Sequence, residues 1–211
     1  MTCFEVLVEG ASDVPAIREV LTRRFGMIEG VDFRIHPHRG RGKLPKNPLA
    51  RPDPRQQTLL HQLPAKLQGY SHWGPDFCIL VVIDVDDDDC GDLLARLRRM
   101  FDELPKKPQR VLFRLAIEET ESWFIADTHA VKTAFPAAKL QRIKDIEADA
   151  IVGAWERLAD AIGVPVVRVT GMDKTLWAGA IAPHLNLDRP RSPSLLKLIE
   201  GVNREIERGE A

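Results

Sequence analysis

The chain has 211 residues, 44% hydrophobic and 29% charged, a composition that fits a globular domain and excludes a disordered tail. Its formal charge of -1 excludes a globally basic nucleic-acid binder, so a polyanion would have to be met by a local patch. No run reaches the roughly 20 apolar residues that cross a bilayer, and the N-terminus lacks a signal peptide's basic-then-apolar pattern, so a cytoplasmic protein with no membrane partner is expected.

The length suits one α/β core, read as a single domain over 1–211 in which 118–211 is a largely helical extension packed on the sheet. Phe4 to Val8 reads as a strand, Glu9 to Asp13 as a tight turn, and Val14, Ile17, Val20 and Leu21 as the inner face of a helix that Ser12 or Asp13 caps. Residues 31 to 36 alternate like a second strand, and the Pro-, Gly-, Arg- and Lys-rich stretch from Pro37 to Arg55 reads as a loop. A helix over 56–69 follows, which Pro64 should kink or divide.

Phe77 to Ile83 is an unbroken apolar run, the pattern of a central parallel strand buried on both faces. It ends in aspartates. Leu93, Leu97, Met100 and Leu104 then trace a helix, and Arg110 to Ile117 a further strand. Beyond Glu118 the spacing of Ile143, Ile146, Ala150, Ile151, Trp155, Leu158 and Ile162 predicts one long amphipathic helix. A last strand is expected at Val164 to Val169, then two helices, the final one opened by Ser192-Pro193. The alternation predicts a Rossmann-like, mostly parallel sheet flanked by helices, with a helical C-terminal portion.

In such a sheet, functional groups gather at the carboxyl ends of the strands. Glu9 ends the first strand and Asp84 the central one; if the two are neighbours, both carboxylates enter one crevice and Asp86 is close enough to join them. Six of the nine residues from 84 to 92 are aspartate, with no Lys or Arg between Asp76 and Ala95. Two carboxylates about 4 Å apart repel by roughly 1 kcal/mol in water and by several times more at lower dielectric, so a divalent cation is the natural counter-charge. Oxygen donors without His or Cys favour Mg²⁺ or Mn²⁺. Asp87, Asp89 and Asp92 read instead as a solvated turn and helix start.

Val8-Glu9-Gly10 after the first strand and Asp84-Val85-Asp86 after the central one resemble the Toprim pattern of topoisomerases, bacterial primases and the overcoming-lysogenisation-defect nucleases. The segment from Glu118 to Asp127 (Glu-Glu-Thr-Glu-Ser-Trp-Phe-Ile-Ala-Asp) and Arg191-Ser192-Pro193-Ser194 look like the Toprim-like DUF4276 family over nearly the whole chain. The resemblance implies a Toprim-like fold and a metal site in which Glu9 is ligand or general acid/base, Asp84 and Asp86 hold the metal and Asp88 is an extra ligand. It further implies a nuclease, the effector of a bacterial phage-defence module with an ATPase partner.

Three other features bear on this expectation. Glu118 and Glu121 share a face if the chain turns helical after the fourth strand, and could supply a second metal or a base, with Glu119 secondary. Lys174, after the expected last strand, could hold a phosphate or stabilise a transition state. Arg39, Arg41, Lys43 and Lys46, with Arg51 and Arg55 against the single acid Asp53, form a local basic patch for DNA or RNA, with His36 and His38 read as surface-loop residues beside it. The function expected is Mg²⁺-dependent hydrolysis of nucleic-acid phosphodiesters. The alternatives are a non-enzymatic nucleic-acid- or partner-binding domain with a structural metal, and a phosphohydrolase or receiver-like domain, which needs an acidic pair after the first strand where Glu9 stands alone.

Overall fold

The computed structural model describes residues 2–86, 88–147, 149–150 and 152–210. Asp87 of the aspartate run and Ile151 of the expected long helix lie outside the described residues.

Strands β1 (Cys3–Val8), β2 (Phe33–Pro37), β3 (Phe77–Asp84) and β4 (Val111–Ala116) pair in parallel in the order β2-β1-β3-β4. The side chains of this sheet alternate between two cores, as the period of a strand requires. Phe4, Val6, Val8, Leu80 and Val82 meet α1 (Asp13–Glu19), its continuation in a π-helical turn at Val20–Arg24, and helices of the C-terminal half. Leu7, Ile79, Val81 and Ile83 meet α2 (Leu59–Gly69) and α3 (Cys90–Glu103) on the other face. Both faces are covered, which is why the run from Cys78 to Ile83 is apolar at every position. This is the Rossmann-like α/β architecture expected.

From β1 the chain first moves to β2 on one side and later to β3 and β4 on the other. The strand order therefore reverses between β1 and β3, and a crevice opens at the carboxyl ends of those two strands.

The C-terminal half carries α4 (Glu121–Ala126), α5 (Thr128–Ala134), α6 (Ala154–Ile162), α7 (Gly171–Ile181) and α8 (Pro193–Glu210). It is mainly helical, but two expected elements differ. The long helix over 143–162 is only α6: Gly153 takes a positive φ of 78° immediately before it, and Leu140–Arg142 is a single 3-10 turn. The expected strand at Val164 to Val169 is a 3-10 turn at Val166–Arg168, with Val167 93% exposed. A valine-rich hexad without a sheet edge to join has no ladder to satisfy its backbone. Lys174 consequently lies in the first turn of α7, which Thr170 and Asp173 open with a capping box. Earlier in the chain, α2 runs unbroken through Pro64, and Ser12 makes no capping bond to α1.

Ser192 caps α8 as expected, its Oγ accepting from the Leu195 N–H at 3.2 Å. Asp149 completes this joint. Its carboxylate accepts from the Ser194 N–H at 2.5 Å, the Ser192 hydroxyl at 2.8 Å and the Ser122 hydroxyl at 3.4 Å, while the Trp123 indole N–H donates to Ser194 Oγ at 2.8 Å. Asp149→Ala strands these donors at the start of the longest helix, and a loss of about 2 kcal/mol, or roughly 4–8 °C in Tm for a chain of this size, is expected by calorimetry.

Candidate active site at the carboxyl edge of the sheet

Glu9 leaves β1 and turns back across the crevice, where its Oε1 accepts the backbone N–H of Asp84 at 2.9 Å. This bond joins the ends of β1 and β3. Gly10 then turns the chain into α1, and its N–H donates to Asp13 Oδ2 at 2.9 Å. Asp13 is thereby folded back beside Glu9, with its other oxygen accepting from the Thr120 hydroxyl at 3.0 Å. After β4, Thr120 and Glu121 enter from the opposite side. Lys174 approaches from α7, 3.3 Å from Glu119 and 3.9 Å from Glu121, with its ammonium 4.6 Å from the centre of the Trp155 ring.

Glu9, Asp13, Thr120 and Glu121 are all buried. Burial pushes the Glu9 carboxyl up to about 9, helped by the charges of Asp13 and Asp86. Asp84 is raised well above the ordinary carboxylate range by burial first, then by Asp13, Glu9, Glu121 and Glu119. Asp13 and Glu121 are raised by burial, against the pull of Lys174, and burial together with Glu121 lifts Glu119 to about 7. Five carboxyl groups thus share one desolvated space with a single lysine among them. Among the described residues, Glu119 Oε2 has no hydrogen-bond partner in its buried position there.

Among the described residues no three His, Cys, Asp or Glu side chains already stand in metal-holding geometry. The hydrogen bonds give the reason, because Glu9, Asp13 and Glu121 are each drawn to a local N–H, hydroxyl or ammonium donor. The donor set is nonetheless all oxygen, desolvated and short of positive charge, which suits a hard divalent cation.

The structure thus brings Glu9, Asp84, Glu121 and Lys174 together, and adds Asp13 and Thr120. It places three expected residues differently. The Glu118 carboxylate accepts the N–H groups of Gly153 and Ala154 at 2.5 and 3.0 Å, capping α6 from a residue whose own φ is +60°; it faces away from Glu121. Asp86 and Asp88 pair with Arg41, whose guanidinium also donates to the carbonyls of Asp84 and Val85 at 3.2 and 2.6 Å, and Arg96 reaches Asp88 at 3.0 Å. Asp86 and Asp88 are thus neutralised by Arg41 from more than forty residues earlier in the chain, with Arg96 adding to Asp88. Asp86 still lies near enough to raise the Glu9 carboxyl, at the rim of the cluster.

Of the basic patch, Arg41 is committed to this clamp, while Arg39, Lys43 and Lys46 are exposed. His36 is not a loop residue; it lies in β2 and pairs with the buried carboxylate of Glu5.

Asp13 was the residue least visible in the sequence. Its signal was a spacing of four from Glu9 across a strand–turn–helix junction, which read equally well as a helix cap. A family model described as Domain of unknown function (DUF4276) matches residues 8–203. No curated protein and no solved structure matches the chain.

Proposed function

This chain belongs to the DUF4276 family, and we propose that it hydrolyses nucleic-acid phosphodiesters with a divalent cation, Mg²⁺ or Mn²⁺, in the manner of Toprim nucleases. The observation that carries the reading is the convergence of Glu9, Asp13, Asp84 and Glu121 with Lys174 at the point where the strand order reverses. These four carboxylates would hold the cation, with Asp86 at their rim. A bound cation supplies Lewis-acid charge at a phosphoryl oxygen and a water of lowered pKa.

The protein's own groups do the rest. Lys174, steadied by Glu119 and the Trp155 face, offers an ammonium to the developing oxyanion. Glu119, lifted to about 7, is suited to hold a proton near neutrality. The sole tyrosine, Tyr70, stacks edge-on against Trp73 ahead of β3, at the opposite edge of the sheet. That placement favours water over a tyrosyl nucleophile. The exposed Arg39, Lys43 and Lys46 give the polyanion its attraction. An ATPase partner and a role in defence are proposed from the Toprim resemblance.

A second reading gains from Asp13, which supplies the second acid after β1 that a phosphomonoesterase or receiver-like site needs. Incubation with plasmid DNA, RNA and an aryl phosphate, each with Mg²⁺, Mn²⁺ or EDTA, separates the two. Metal-dependent cleavage of nucleic acid, reduced about 10³-fold or more in a folded Asp84→Asn variant, is expected. Aryl phosphate turnover without strand cleavage would replace the proposal by the second reading. Metal binding with no turnover of any substrate would leave a binding domain.

A further inference from the structure

Beside the acidic crevice lies a second feature of opposite character. The chain leaving β2 runs along the end of β1: the His38 N–H donates to the Val8 carbonyl at 3.1 Å and the Gly40 N–H to the Glu9 carbonyl at 2.9 Å. Gly40 then turns with a φ of 90°, and its own carbonyl accepts from the Leu59 N–H at 2.9 Å. That positive φ lets one glycine bind both Glu9 and the start of α2. Beside the turn lies an open cavity of about 360 Å³ whose wall includes His38, Arg39, Gln57, Gln62 and Lys66.

The cavity's wall is cationic, with no acid among the described residues that line it. Among the described residues neither Arg39 nor Lys66 forms an ion pair. Lys66 is half-buried, and burial alone pushes its ammonium below the ordinary value, so the charge is desolvated without compensation from the chain. The His38 ring is fixed: Nδ1 lies 2.8 Å from the Val8 carbonyl and so carries the proton, while Nε2 is buried with no partner among the described residues. An uncompensated cation and an unpaired acceptor in one wall are both costs that a bound ligand can remove. A phosphate with an attached hydroxylated sugar has the complementary groups, and the volume falls in the range of small-ligand pockets.

We infer that this cavity is a phosphate subsite that holds one backbone phosphate of the nucleic acid on Arg39 and Lys66, beside Glu9 and away from the scissile bond. The inference rests on the nucleic-acid reading but not on hydrolysis. Gly40 links the two sites physically, since it follows Arg39 of the cavity wall directly and its N–H donates to the backbone carbonyl of Glu9.

The test is binding of a fluorescent single-stranded oligonucleotide by anisotropy, in EDTA so that nothing is cut, across a salt series. Arg39→Gln/Lys66→Gln should weaken binding about tenfold or more and lower the salt slope by roughly one to two contacts. Lys66→Arg, which keeps the charge, should restore most of the affinity. Arg157→Gln/Arg168→Gln, which removes two exposed charges from the C-terminal half, should leave binding within about twofold. Wild-type affinity in the Arg39/Lys66 double variant, or equal loss in both double variants, would overturn the subsite. Inorganic phosphate that binds in a Lys66-dependent way while the oligonucleotide does not would also overturn it, in favour of a free phosphoanion. Lys66-dependent binding by a protein that never cleaves would keep the subsite and remove the hydrolase; cleavage indifferent to both residues would do the reverse.

Discussion

Glu9→Gln is expected to make the metal-free protein more stable, by about 2 kcal/mol near pH 8, or roughly 4–8 °C in Tm. Gln keeps the oxygen that accepts the Asp84 N–H at 2.9 Å and discards the charge. The penalty is one of proton uptake: burial, with Asp13 and Asp86, raises the Glu9 carboxyl from 4.5 to about 9, so near pH 8 folding obliges it to take up a proton that the unfolded chain has lost. A folded-state pKa above the unfolded one means that the folded chain binds more protons between the two values, so stability is full below about pH 4.5 and is lost as pH rises towards 9. Glu119 adds to the same slope up to about pH 7, and Asp13, Asp84 and Glu121 share its sign. His38 opposes it: its pKa is lowered by burial, so the folded chain gains stability as pH rises towards 6.5. The carboxyl groups outnumber it, and the net slope is downward.

Calorimetry in EDTA should therefore show the wild-type Tm falling from about pH 5 to pH 9, and the Glu9→Gln and Asp84→Asn variants falling less. Mg²⁺ or Mn²⁺ should raise the wild-type Tm most at the alkaline end, where the carboxylates are ionised, and barely move the variants. A Tm that rises with pH in EDTA, or both variants less stable than wild type near pH 8, would show that the cluster carries no stored repulsion.

The strands were legible because their signal is local. The run from Phe77 to Ile83 is apolar at every position and can only be doubly buried, and an aspartate at its end has to emerge at the sheet edge. Glu9 followed from the same reasoning. What escaped depended on long-range pairing or on a single torsion. Nothing near Asp86 and Asp88 in sequence announces Arg41, whose guanidinium arrives from a loop more than forty residues earlier. Glu118 and Glu121 have helical spacing, but a positive φ at Glu118 turns its carboxylate onto α6, so that of the pair only Glu121 enters the crevice. Val164 to Val169 has the composition of a strand and lacks only a sheet edge, a condition that periodicity does not encode.

Asp13 gives the sharpest division between the ligand set implied by the sequence resemblance and the one favoured by the geometry. If the cation is held by Glu9, Asp13, Asp84 and Glu121, Asp13→Asn should weaken Mn²⁺ binding by about 10²-fold or more, since even removal of an indirect partner of a metal ligand costs 10–100-fold. The isosteric amide can keep its oxygen on the Gly10 N–H and donate its NH2 to the Thr120 hydroxyl oxygen, so the fold is kept and charge is what is lost. Asp88→Asn should change Mn²⁺ affinity by no more than about threefold, because Asp88 is already paired with Arg41 and Arg96 and its loss is mainly that of a partly exposed ion pair. Titration by electron paramagnetic resonance of free Mn²⁺ reads both values directly, without any turnover. The reverse order, with Asp88→Asn severe and Asp13→Asn mild, would mean that Arg41 releases the aspartate loop when the cation binds, and that the cation is held by Asp84, Asp86 and Asp88 instead.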